Sequence, residues 1–208
     1  MMTKTQINKL IKMMNDLDYP FEAPLKESFI ESIIKIELKN KSTNCRDNLI
    51  NEVSILCKKQ RDYRTYLRAM DGFEVNGLRL FSLSIPEPSV KNLFAVNEFY
   101  RNNDDFINPD LQERLVIGDY SISIFTYDIK SSFFEIRDNI GKENIFSSFS
   151  DFSSFLNEIM ESFSKKSKGK KNHCKPCHLF RDYQQKIPCS KFSSASYGKT
   201  YNGTTLLK

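Results

Sequence analysis

His173-Cys174-Lys175-Pro176-Cys177-His178 is the densest run of metal-capable side chains in the chain. A Cys-x-x-Cys step between two histidines supplies half of a tetrahedral zinc site, because thiolate and imidazole are ligands that zinc favours. A closed structural site takes a second spaced pair, and only the single Cys189 follows. The expectation is therefore an unmetallated thiol pair, with His173, Cys174, Cys177 and His178 as an alternative zinc set. A thioredoxin-type redox role lacks its βαβ frame. These two histidines are the chain's whole complement, so residues 1–164 cannot house a His acid–base pair or a Ser/His/Asp triad. No Walker loop and no dinucleotide fingerprint occurs, and no cofactor is expected. Carboxylates are plentiful, among them Asp104, Asp105, Asp110, Glu113, Asp119, Asp128 and Asp138. Most lie near Asn, Gly or Pro, as turn and cap residues do. No pair stands out by position, so a carboxylate-dependent hydrolase ranks last and the chain reads as a non-enzyme.

Lys165, Lys166, Lys168, Lys170 and Lys171 could neutralise phosphates. No aromatic residue lies between them to stack on bases, so nucleic acid is expected as a partner only through this basic tail, if at all. The charge is divided unevenly. Residues 165–208 hold 11 Lys+Arg and one acid, whereas residues 1–164 hold 20 bases and 25 acids, a balance of −5. The overall +5 describes neither part. Of 208 residues 39% are hydrophobic, with 17 Phe and no Trp, which is globular composition. About 160 residues bury roughly 70% of their unfolded surface and need no disulfide or metal to fold. Five cysteines, an odd number, without a leading apolar signal core argue against a disulfide framework. No apolar run nears the roughly 18 residues of a membrane helix. No membrane partner and no small-molecule substrate are expected, and the location is expected to be cytoplasmic.

The elements follow from hydrophobic period. Helices are predicted over 3–17 and about 24–39, the second with Leu25, Phe29, Ile33 and Ile36 inward. A third, capped by Asp47, continues to Met70 directly or after a break, with Val53, Leu56 and Cys57 buried and Cys45 in the loop before it. Beyond Asp71-Gly72 the period falls to two. Val75, an Asn76-Gly77 turn and residues 78–83 form a hairpin. A helix over about 90–102 places Leu93, Val96, Phe99 and Tyr100 on its apolar side. A meander then follows: 114–117, a Gly118-Asp119 turn, 121–127 with Ile122 and Ile124 on one face, 132–137, and 143–147. A last helix, capped by Ser150 or Asp151, carries Phe152, Phe155, Leu156, Ile159, Met160 and Phe163 as one stripe. From Ser164 the Ser/Lys/Gly-rich sequence is expected to be disordered.

The order of these elements, with Tyr63-Arg64-Thr65-Tyr66-Leu67-Arg68-Ala69-Met70-Asp71-Gly72-Phe73, Asn76-Gly77-Leu78, Leu115-Val116-Ile117-Gly118-Asp119, Tyr127-Asp128 and Ser148-Phe149-Ser150-Asp151-Phe152-Ser153-Ser154-Phe155-Leu156, resembles the SUKH superfamily (the Smi/Knr-like proteins). The resemblance spans about residues 5–164. It implies an α+β fold: a mainly antiparallel sheet of about five to six strands flanked by N-terminal helices and a C-terminal amphipathic helix. That gives a SUKH-like domain over 1–164 and a basic tail over 165–208. It also implies a non-catalytic immunity protein of a bacterial polymorphic-toxin system, whose partner is a cognate protein toxin, often a nuclease. Glu74, Glu87, Asp104, Asp105, Asp119, Tyr120 and Asp128 are the expected toxin-binding surface, since aromatics anchor interfaces and charges choose partners. A nucleic-acid- or zinc-binding regulator acting through the tail is the alternative.

Overall fold

A computed structural model describes residues 4–16, 18–36, 42–102, 109–141 and 143–169. Within them the order is α1 (Lys4–Asp16), α2 (Glu27–Lys35), α3 (Cys45–Lys59), α4 (Arg61–Leu67), β1 (Phe73–Val75) and β2 (Leu78–Leu80). Then come α5 (Leu93–Asn102), α6 (Pro109–Gln112), β3 (Arg114–Tyr120), β4 (Ser123–Asp128), β5 (Phe134–Asp138), β6 (Ile145–Phe149) and α7 (Phe152–Gly169). The six strands lie side by side in chain order, each antiparallel to the next. The fold is α+β, as expected. By internal contacts the chain divides into two units, Met1–Lys165 and Lys166–Lys208.

Local chemistry starts and stops the elements. Asn44, not Asp47, caps α3: its side chain accepts from the Arg46 amide at 2.8 Å. Cys45 is thereby the first residue of α3, half-buried, and not a loop thiol. Cys57 is buried as expected, and burial pushes its thiol up to about 12. Asn76 and Gly77 both take positive φ between β1 and β2, as a tight hairpin turn requires. Asp151 caps α7, accepting from the Ser154 amide at 2.8 Å. Asp71 is wholly buried, and its carboxylate accepts from the Ser82 hydroxyl and the Leu83 and Ser84 amides, which fixes the chain leaving β2.

The core forms between one sheet face and α7. Phe125, Tyr127 and Phe134 project from that face. Phe155 lies edge-on to Phe125 and stacked on Phe134, at 5.5 and 5.4 Å between ring centres. Phe152 fills the space between Phe134 and the α4 residues Tyr63 and Tyr66. The expected stripe is buried from Phe152 to Ile159, with Met160 partly buried.

Several expectations need correction. Gly118-Asp119 is no turn: both lie inside β3, and the reversal falls at Ser121-Ile122. A β-bulge between Val116 and Gly118 puts Gly118 opposite Phe125, where a Cβ would meet the Arg79 carbonyl oxygen at 2.3 Å. Close approach of two strands, not turn geometry, demands that glycine. Ile122 is consequently exposed in the turn while Ile124 is buried. Phe29 and Phe99, expected inward, are exposed: Ile30 and Ile33 take the inward positions of α2, and Leu93 and Asn97 those of α5. Helix α2 is shorter than expected, α6 was not foreseen, and α7 continues through Gly169, past the expected end at Phe163.

Asn97 ties α5 to the bulge. Its amide nitrogen donates to the Val116 carbonyl and its oxygen accepts from the Val116 amide, both at 2.8 Å. Asn97→Ala orphans both backbone groups in a buried setting. The expected loss is about 2 kcal/mol of unfolding free energy, read from urea midpoints at constant slope.

Candidate functional site

A groove of about 390 Å³ opens between α5 and the sheet face turned away from α7. Its size falls in the range of ligand-sized clefts, about 300–1,000 Å³. The hairpin and the bulge position its floor. Register places Glu74 of β1 opposite Arg79 of β2, and Arg79 opposite Asp119 of β3. Arg79 grips Asp119 with two bonds, Nε to Oδ1 at 2.8 Å and Nη2 to Oδ2 at 2.5 Å. That bond, more than the charge of the carboxylate, raises the guanidinium above its usual value. The walls are Phe81, Pro88, Val90, Ala95, Val96, Phe99 and Tyr100. At the mouth Val90 is 69% and Phe99 51% exposed. Burial, then the Asp119 charge, pushes the Tyr100 phenol up.

The acids around this groove are already paired. Glu74 meets Lys91 at 2.8 Å. Glu87 binds Arg46, which also reaches Glu98 at 3.4 Å and lies over the Phe94 ring at 4.3 Å. A floor without unpaired charge favours an uncharged or aromatic side chain over a free ion. The arrangement offers apolar anchoring and no nucleophile–base pair.

The expected site residues divide. Glu74 and Asp119 lie in one cross-strand row beside the groove, and Glu87 is next to the lining residue Pro88. Tyr120 follows Asp119 in β3, faces the other side of the strand, and packs half-buried against the core. Asp128 sits at the opposite end of the sheet, paired in register with Arg114. It shapes the β4–β5 turn by accepting from the Lys130 amide at 2.8 Å. Burial pushes its carboxyl up, and the Lys130 and Ser131 bonds with the Arg114 charge outweigh that and hold it below the usual range. Tyr120 and Asp128 thus do not join the others. Asp104 and Asp105 lie outside the described residues, as do His173, Cys174, Cys177, His178 and Cys189. Of the lysine cluster, residues 165–168 have only their helical backbone described. Among the described residues no His/Cys/Asp/Glu group is arranged to hold a metal ion, and no helix is long and apolar enough to cross a membrane.

Sequence reasoning missed Arg79 and the apolar lining. The signal was the α5 sequence Leu93-Phe94-Ala95-Val96 with Phe99 and Tyr100, which is more apolar than a one-sided helix needs.

No family model and no solved structure matches the chain. The uncharacterised protein YrhA of Escherichia coli (strain K12) is 89% identical over 130 residues, which are 62% of this chain and 94% of YrhA. The chain therefore belongs to the same family as YrhA.

Proposed function

We propose that the chain is a cytoplasmic, non-catalytic immunity protein of SUKH type that neutralises a protein toxin by binding it. The groove between α5 and the sheet carries this reading. An exposed aromatic at the mouth of a preformed apolar cleft, ringed by charges that are already paired, is the anatomy of an interface hot spot. The six-stranded antiparallel sheet with α7 on one face agrees with the fold that the SUKH resemblance implies. Residues 1–164 carry 25 acids against 20 bases, which steers a cationic partner such as a nuclease toward the domain.

The test is growth protection: the full chain is co-expressed with the toxin-like product of a neighbouring gene. Phe99→Asp places a charge in the groove mouth without touching the core. The expected result is loss of protection and roughly 30-fold weaker binding, the equivalent of one anchor of about 2 kcal/mol, at unchanged Tm. A parent chain that neither binds nor protects against the toxin would sink the proposal, and a fully protective Phe99→Asp variant would remove the groove from it.

A further inference from the structure

The sheet has one guarded edge and one open edge. At the first, Phe21 bridges to Phe73, and Glu22 exchanges backbone bonds with Gly72 and Asp71. At the second, β6 pairs with β5 along its inner side. Among the described residues no strand meets its outer side. Natural edge strands are guarded by charge, proline or brevity, because unpaired N–H and C=O groups template another strand. Residues 144–150 read Asn-Ile-Phe-Ser-Ser-Phe-Ser, with no charge and no proline. Ile145 is 46% and Phe146 52% exposed. The apolar surface continues around that corner. The Asn139 amide donates to the Ile122 carbonyl at 2.6 Å, which draws two turns together, and both Ile122 and Ile140 are exposed.

Three carboxylates border this edge: Asp138 and Glu143 before the start of β6, and Asp151 beyond its end. Asp138 and Glu143 flank the Gly141 turn. Among the described residues Asp138 accepts from the Ile140 amide within its own turn, and Asp151 is used as the α7 cap. None of the three is in an ion pair among the described residues, in contrast to Glu74, Glu87 and Asp119. A second copy of the chain fits poorly. Antiparallel pairing of β6 about Ser147 sets Glu143 opposite Asp151 of the other copy. Like charges directly opposite are destabilising.

We propose that β6 accepts an extended strand from a partner protein. That strand alternates apolar residues along its length and carries Lys or Arg at its ends. Main-chain hydrogen bonds to the open edge give affinity, Ile145 and Phe146 seat its apolar positions, and Asp138, Glu143 and Asp151 select the basic ends. The surface is distinct from the groove. It rests on the protein-binding reading only for the source of the strand.

The probe is a synthetic nonapeptide of alternating Val and Thr ending in Lys at both termini, compared with the same peptide ending in Glu. Each is titrated into the full chain, and hydrogen exchange of the 145–149 amides is followed. The Lys-ended peptide is expected to slow β6 exchange and to bind about tenfold tighter than the Glu-ended one at low salt. The difference should shrink at high salt. Ile145→Lys and Phe146→Lys, both at exposed positions, should each abolish the protection while the Tm stays unchanged. Equal binding of the two peptides, or no β6 protection by either, overturns the proposal. So does β6 protection without peptide in a dimeric chain, which would make the occupant a second copy. Phe99→Asp should leave peptide binding untouched, so failure of the toxin reading and failure of this one are separable.

Discussion

Glu135→Ala is expected to lower the unfolding free energy by about 3–5 kcal/mol, the cost of breaking a buried ion pair from one side. Glu135 is 4% exposed and Arg137 2%. One oxygen of Glu135 accepts from Arg137 Nε at 2.6 Å, Arg114 Nε at 2.9 Å and the Thr126 hydroxyl at 3.1 Å. Removing the carboxylate leaves the Arg137 guanidinium buried without this counter-charge. Arg114 is less affected, because it keeps the Asp110 carbonyl at 2.8 Å and Asp128 at 3.8 Å. The double variant Glu135→Leu with Arg137→Met removes both charges and fills their volume. It should recover most of the loss, since a packed apolar pair often matches a buried ion pair. Urea unfolding of the parent, the single and the double variant measures this. If the double variant is as unstable as the single one, the loss comes from packing and not from uncompensated charge.

Phe152→Ala is expected to cost a similar amount, about 3–5 kcal/mol, by opening a cavity in the core. Phe152 is fully buried and touches Tyr63, Tyr66, Phe134 and Phe155 from three different elements. No single neighbour can collapse into the space, which places the loss toward the upper end. Phe99→Ala is the informative control. It changes a residue of the same type that is half exposed and should stay within about 0.5 kcal/mol of the parent. Thermal unfolding of the two variants side by side checks both. A destabilised Phe99→Ala would mean that the groove is part of the folding core and not a free surface.

The neighbourhood of each acid decided how the proposed interface is assigned. By residue type, Glu74, Glu87, Asp119 and Asp128 look equivalent, and so do Asp138, Glu143 and Asp151. In the fold, Arg79 crosses from β2 to hold Asp119, Lys91 holds Glu74, and Arg46 of α3 holds Glu87. The second group borders an unguarded strand edge and has no such partners among the described residues. In the two proposals, electrostatic selection is therefore assigned to the β6 edge, and the groove supplies an apolar anchor without free charge.

The amino-acid sequence alone determined whatever depends on neighbours in the chain. The 3.6-residue stripe from Phe152 to Ile159 set α7 and its buried face, because a helix with one continuous apolar side has one stable way to sit on a sheet. Asn76-Gly77 set the hairpin, because few residue pairs accept two positive φ angles. The change of period at Asp71-Gly72 placed the first hairpin directly after the N-terminal helices. Tertiary structure alone decided the rest. Gly118-Asp119 has the local chemistry of a turn, yet β2 passes so close that glycine is needed inside a strand. Phe29 and Phe99 fit an inward stripe by spacing, yet α2 and α5 dock through their neighbours and leave both rings partly exposed outside the core. Ion pairs such as Arg79–Asp119 join residues 40 apart in the chain. Only the register of the folded sheet brings them to hydrogen-bonding distance, and local sequence carries no record of that register.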